Sequence, residues 1–171
     1  MPRIRIETER MVLRNTEACD IPALVSMWTD PEVTRFMGGP RDAKWLAENF
    51  AEDANNQDPP LYDQWPVVDR SNGEVIGYCG LLDKEVEGRA EVELVYVFAP
   101  AAWGKGYATE MALALREHAT RSLGLRRLIA LIDLENEASA RVAERLGFHA
   151  EKKVIRGQAE RMLFVYEEPS D

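Results

Sequence analysis

The sequence predicts one α/β domain of the α+β kind, a central mixed, mostly antiparallel sheet of about seven strands flanked by helices. Three observations carry that reading. Strand-like and helix-like runs follow one another in the order strand, helices, three strands, helix, strand, helix, two strands. Two tight-turn signals, Asn72-Gly73 and Glu87-Gly88, join the three central strands as antiparallel neighbours. The later strand–helix–strand connections add crossovers to that sheet. At 171 residues the chain fits a single domain spanning 1–171, large enough to bury a core without metals or disulfides.

Each element has its own warrant. Arg10-Met11-Val12-Leu13-Arg14 alternates as a first strand, and Ile21, Leu24, Val25 and Trp28 fall at helical spacing. Asp30-Pro31-Glu32-Val33 reads as a second helix start with proline in the first turn, and residues 42–50 as a further amphipathic helix. The polar, proline-interrupted segment 55–60 is loop. Residues 64–69 and 75–82 form a hairpin in which Asn72-Gly73 suits a type I′ turn, and Glu87-Gly88-Arg89 turns the chain into a strand over 90–98. A helix then runs from a glycine loop to about Leu123, with Met111, Leu115, Ala119 and Leu123 on one stripe and Gly124 as its left-handed stop. The apolar run 128–132 suits a strand buried on both faces. Asn136 is placed as N-cap of a helix that turns Ala138, Val142 and Leu146 inward and ends at Gly147. Two last strands are expected near 149–154 and 161–166.

Composition narrows the function. Thirty acidic against 21 basic residues, a formal charge of −9, argue against a protein that grips a nucleic-acid backbone and favour cationic partners, although acidity also serves plain solubility. Cys19 and Cys79 are the only cysteines, and no basic-then-apolar leader is visible at residues 1–14, so reduced thiols and a cytoplasmic location are expected. No apolar run is long enough to span a bilayer, so no membrane partner is expected. Cys19, Cys79, His118 and His149 are too scattered for a zinc spacing, and no metal is expected.

The most informative stretch is Pro100-Ala101-Ala102-Trp103-Gly104-Lys105-Gly106-Tyr107-Ala108-Thr109-Glu110, where a β-like run ends and an apolar helical pattern begins. Gly104 and Gly106 allow close backbone approach, and the helix start offers unpaired N–H groups and partial positive charge, which together read as a phosphate cradle. A Walker loop fails, because Lys105 is followed by Gly106 rather than Ser or Thr. A dinucleotide fingerprint is weak, because Thr109 stands where Gly or Ala is needed.

What remains, G-x-G-x-A after the run Glu93-Leu94-Val95-Tyr96-Val97-Phe98, resembles the acyl-CoA loop of the GNAT N-acetyltransferase superfamily. W-G-K-G-Y-A-T-E opening one helix and N-E-A-S-A-R-V-A-E-R-L-G-F closing the second crossover extend that resemblance over nearly the whole chain. T-E-R-M-V-L-R and T-D-P-E-V are similar to the RimJ/RimL branch, which acetylates protein N termini and also contains enzymes of small-molecule amines. The resemblance implies acetyl-CoA as acetyl donor, coenzyme A as product and an amine acceptor. Many relatives are dimers, so it also implies a homodimer. It sets backbone groups of Val97 and Phe98 along the pantetheine arm, and amides of Trp103, Gly104, Lys105, Gly106, Tyr107 and Ala108 around the pyrophosphate. Trp103 replaces the Gln or Arg of many superfamily members and is read as packing under the loop ahead of touching cofactor. Lys105 is either a phosphate contact or a solvated charge. Asn136 matches a position that contacts the cofactor arm, beside its capping role.

Acetyl transfer needs a neutral nitrogen, a home for its proton, and a stabilised thiolate leaving group. Glu91 and Glu93 lie two apart on one strand and so share a face. By the same resemblance Glu93 is preferred as base or amine anchor, with Glu91 in reserve; the plainer reading of both is a charged strand surface. The tyrosine that protonates the thiolate in many relatives is replaced by Ala143, and Ser139 is the substitute donor. No G-x-S-x-G elbow or cysteine–histidine pattern points to a covalent enzyme, so direct transfer in a ternary complex is expected. Trp45, Trp65 and Phe36 are read either as acceptor-pocket lining or as core. The missing tyrosine keeps a second reading open, a non-catalytic acyl-CoA-binding regulatory module.

Overall fold

A computed structural model describes residues 4–170; residues 1–3 and 171 of the expected domain lie outside the described residues. The elements are β1 (Arg5–Glu7), β2 (Met11–Arg14), α1 (Ile21–Thr29), α2 (Ala43–Asn55), β3 (Gln64–Asp69), β4 (Val75–Val86), β5 (Arg89–Phe98), α3 (Tyr107–Glu117), β6 (Arg127–Asp133), α4 (Glu137–Arg145), β7 (His149–Arg156) and β8 (Ala159–Glu167). They build one eight-stranded sheet in the order β1-β2-β3-β4-β5-β6-β8-β7. Every neighbouring pair is antiparallel except β5 and β6, which run parallel because the α3 crossover joins them. The strand beyond the expected seven is β1, whose three residues bury nothing fully and are too short to show alternation.

Side chains alternate across β5, so its two faces feed two cores. Leu94 and Phe98 join Met111 and Leu115 of α3, Leu128 and Ala130 of β6 and Leu146 after α4. Val97, on the other face, packs with Leu24, Met27 and Trp28 of α1, Leu46 and Phe50 of α2 and Tyr78 of β4. Met111, Leu115 and Ala119 are wholly buried at fourfold spacing, as the stripe predicts.

Three local expectations need correction. Residues 31–38 form successive turns rather than a helix: the Thr34 amide donates to the Asp30 carbonyl at 3.1 Å and the Met37 amide to the Thr34 carbonyl at 2.9 Å, and Gly38 and Gly39, with φ of 88° and 87°, end the segment in left-handed backbone. The turn before β4 is not type I′. That turn needs positive φ at both central residues, and only Gly73 has it, at 75°. Instead Asp69 anchors a longer loop by accepting from the Gly73 amide at 2.8 Å, with a register shift between Val67 and Val68. The two-residue left-handed pair sits at Glu87 (φ 49°) and Gly88 (φ 80°), closing the Val86↔Arg89 end of the β4–β5 hairpin. The helix from the glycine loop stays α-helical only to Glu117, then passes through one π turn, 118–122, before Gly124 at φ 68°.

Candidate active site

The site begins with a break in the sheet. β5 and β6 pair at a single register position, Glu93↔Ile129, and beyond it the strands part. A cleft of about 320 Å³ opens between them, lined by Glu93 to Tyr96 on one side and Ala130 to Asp133 on the other, with Asn136 and Ser139 of α4 at its edge. The Leu131 amide, lost to the β5 ladder by this parting, donates instead to Glu93 Oε1 at 3.3 Å. Because the gap runs through the sheet, side chains from opposite faces of β5, Glu93 and Tyr96, reach one cavity.

Burial pushes the Glu93 carboxyl up, against the pull of Lys84, the Leu131 amide and Arg156. Lys84 Nζ lies 3.5 Å from Glu93 Oε2. Glu91 lies on the same face of β5 but does not line the cleft; it is 7% exposed and accepts from Arg127 Nε at 3.0 and 3.1 Å and from Nη2 at 3.0 Å. Arg127 also reaches Glu167 at 3.0 Å, which makes Glu91 part of an ion-pair cluster joining β5, β6 and β8.

On the other side of the gap, Asn136 caps α4 by accepting from the Ser139 amide at 3.1 Å, which fixes Ser139 in the first turn. The Tyr96 hydroxyl donates to the Ser139 carbonyl at 2.8 Å and accepts from Ser139 Oγ at 3.2 Å. Burial pushes the Tyr96 phenol up to about 12, so it keeps its proton at neutral pH. Ala143 is 1% exposed in the core, at the position where a tyrosine was absent from the sequence. The sequence singles out no role for Tyr96, because its neighbours read only as strand; its phenol among apolar residues is the available signal. Of the three aromatics, Phe36 lines the cleft, Trp65 is core and Trp45 is exposed.

The glycine loop follows β5. Gly104 and Gly106 hold φ of 73° and 77°, so both need left-handed backbone, and a Cβ on Gly104 meets nothing within 4 Å. Gly106 is the N-cap of α3 without any side-chain cap, so no side chain satisfies the first-turn amides of this eleven-residue helix. A pyrophosphate fits such an end, so residues 104–108 suit coenzyme A. Trp103 is 47% exposed rather than packed beneath the loop, yet its indole N–H donates to the Phe98 carbonyl at 2.7 Å and ties the loop to β5. Lys105 is exposed. Val97 and Phe98 are each 6% exposed, their side chains buried in the two cores.

A strap across the sheet fixes the loop from behind. Glu110, in the first turn of α3, accepts from Thr8 Oγ1 at 2.7 Å, the Arg10 amide at 3.1 Å and Arg10 Nε at 2.7 Å. Arg10 Nη1 in turn donates to the Lys105 carbonyl at 2.8 Å, and its guanidinium lies 4.3 Å from the Tyr107 ring centroid. Thus T-E-R and W-G-K-G-Y-A-T-E, a hundred residues apart, are one hydrogen-bonded unit.

Among the described residues no group of three or more His, Cys, Asp or Glu side chains is placed to hold a metal, and no helix is long and apolar enough to cross a membrane. Residues 10–149 match the acetyltransferase (GNAT) domain family. The chain is 31% identical over 169 residues to the uncharacterized protein YkkB of Bacillus subtilis (strain 168), covering 98% of this chain and 97% of that one. It is 33% identical over 148 residues to the uncharacterized N-acetyltransferase p20 of Bacillus licheniformis, covering 84% and 82%. Among solved structures, an acetyltransferase from Agrobacterium tumefaciens str. C58 superimposes with a TM-score of 0.79 at 28% identity, covering 98% and 95%. With the parted sheet, the uncapped glycine loop and this match over most of its length, the chain belongs to the GNAT family of N-acetyltransferases, which use acetyl-CoA.

Proposed function

We propose that this protein transfers the acetyl group of acetyl-CoA directly to a primary amine, within a ternary complex at the parted strands. The observation that carries the reading is that a part-buried carboxylate, Glu93, and a hydroxyl pair, Ser139 with Tyr96, line one cleft. Glu93 accepts the proton of the amine, directly or through one water; its raised pKa makes it a better base near neutrality than an ordinary carboxylate. Ser139 Oγ turns its hydrogen toward the departing thiolate while Tyr96 remains anchored on the Ser139 carbonyl. A thiol of cysteine-like pKa, about 8.5, needs no stronger acid than that hydrogen bond. The amides of residues 104–108 hold the pyrophosphate, Asn136 meets the cofactor arm, and an N–H near Val97 supports the oxyanion.

The acceptor is a primary amine, at a protein or peptide N terminus of the kind the RimJ/RimL branch acetylates or else on a small molecule. At a peptide N terminus a pKa of about 7.7 to 8.0 leaves a useful neutral fraction, against about 10.4 for lysine. The test is mass spectrometry of protein, acetyl-CoA and a mixed panel of N-terminal peptides and small amines. Acetylated product with no acetylated enzyme is expected. Stably acetylated enzyme in the absence of acceptor contradicts direct transfer. Tight acetyl-CoA binding with no product from any amine favours instead the non-catalytic acyl-CoA module.

A further inference from the structure

The charge of the cleft is opposite to that of the chain. The protein carries a formal −9, yet its cleft is lined by three cations, Lys84, Arg156 and Arg161, against two carboxylates, Glu93 and Asp133. Arg161 is spent within the fold: Nη1 reaches Asp133 Oδ2 at 2.9 Å and the Phe36 carbonyl at 2.7 Å, so that pair cancels. Lys84 and Arg156 remain, with Glu93 as the one carboxylate between them in the charge balance. Lys84 stands off Glu93 at 3.5 Å, longer than a good charged hydrogen bond, and so has donors to spare. Arg156 uses Nη1 on the Glu85 carbonyl at 2.5 Å, which steadies its guanidinium and leaves the opposite edge of the fork without a protein acceptor among the described residues.

An amine that brings only positive charge meets a surplus of positive charge here, and a polyamine meets more of it. An acceptor that brings an anion beside its amine balances the lining, and the fork of Arg156 suits a carboxylate. Resting on the acetyl-transfer reading above, we infer that the acceptor of this cleft is an amine bearing a carboxylate a few bonds from the reacting nitrogen. Glu93 takes the amine end, and Lys84 and Arg156 take the carboxylate. Such a group comes either from a free amino acid or from an acidic first residue of a peptide.

The test compares matched acceptors at constant ionic strength, reading coenzyme A release as kcat/KM. Free aspartate and glutamate are set against their diamides, in which no carboxylate remains, peptides beginning with Asp or Glu against those beginning with Asn or Gln, the peptides all C-terminally amidated, and spermidine serves as the polycation. The carboxylate member of at least one series is expected to lead by about tenfold or more, the scale of one charged hydrogen bond. Whichever series responds identifies the source of the carboxylate. Arg156→Gln is expected to collapse that ratio through KM, and Arg156→Lys to restore part of it. Equal rates within both series, or spermidine as the fastest acceptor, overturn the inference while leaving acetyl transfer intact. No product from any acceptor, with the protein folded and binding acetyl-CoA, overturns the transfer reading and the inference with it.

Discussion

Replacing Glu110 by alanine removes the knot that ties β2 to the glycine loop. Its carboxylate takes three hydrogen bonds, from Thr8 Oγ1 at 2.7 Å, the Arg10 amide at 3.1 Å and Arg10 Nε at 2.7 Å, and Arg10 Nη2 approaches to 2.6 Å. Breaking one partner of a buried ion pair is worth about 3–5 kcal/mol, and an exposed pair about 0–1 kcal/mol. The side chains here are 40% and 23% exposed, so the ion pair falls between those limits, and the loss for Glu110→Ala is about 2 kcal/mol. In a domain of this size that lowers the melting temperature by roughly 4–8 °C. The freed guanidinium also loosens its hold on the Lys105 carbonyl, and partial ordering of the loop must then be supplied by the ligand. Acetyl-CoA affinity is expected to drop about tenfold, read by calorimetric titration. Glu110→Gln keeps an acceptor oxygen and recovers part of both effects. The pH dependence has a definite sign. Burial alone raises the Glu110 pKa, but Thr8 and Arg10 together hold it below the ordinary value. Its stabilisation is therefore present above the ordinary glutamate pKa and lost as pH falls through the depressed one, so the gap between wild type and Glu110→Ala closes in acid. An alanine variant with unchanged melting temperature and unchanged acetyl-CoA affinity refutes the reasoning.

Other perturbations separate chemistry from scaffold. Glu93→Gln is expected to lower kcat by about 10²–10⁴-fold. Because burial raises the Glu93 pKa, wild-type turnover climbs with pH through a value above the usual carboxylate range, and that limb should vanish in Glu93→Gln; an identical pH profile counts against the base role. The same raised pKa means that ionising Glu93 costs stability above it, so Glu93→Gln is expected to melt no lower than wild type near pH 7. Glu91→Ala should act on stability, because it strips Arg127 of its bidentate partner at 3.0 Å; with Glu167 still in place, about 2–3 kcal/mol is expected in denaturant unfolding. A wild-type unfolding curve for Glu91→Ala would show that the pair contributes nothing.

Legibility in the sequence followed the range of the interactions. Local signals were readable because they act within a few residues. Gly104 and Gly106 occupy left-handed positions, Asn136 caps α4 and Gly124 turns left-handed just past the π turn that ends the helical run, each for a reason contained in its neighbours. Residue preference points the type I′ pair to Asn72-Gly73, whereas it is Glu87 that the β4–β5 register forces into positive φ. The parting of β5 from β6 is a tertiary event. Alternation along β5 puts Glu93 and Tyr96 on opposite faces, and only the gap lets them share a cavity. The partnership of Thr8 and Arg10 with Glu110 spans a hundred residues and leaves no periodic trace, although both motifs stood out in the sequence. Lys84 and Arg156 likewise meet the cleft from β4 and β7, which the strand order separates by three strands and which only the folded sheet brings together.

The central claim is that the glycine loop and the parted strands form one acetyl-transfer site, and a crystal structure of the protein with coenzyme A tests it most directly. The account predicts the pyrophosphate on the amides of residues 104–108 and the thiol end between β5 and β6, within hydrogen-bonding reach of Ser139 Oγ and facing the cleft that holds Glu93. Coenzyme A bound with its pyrophosphate away from the α3 N terminus, or with its thiol directed outside the β5–β6 gap, contradicts it.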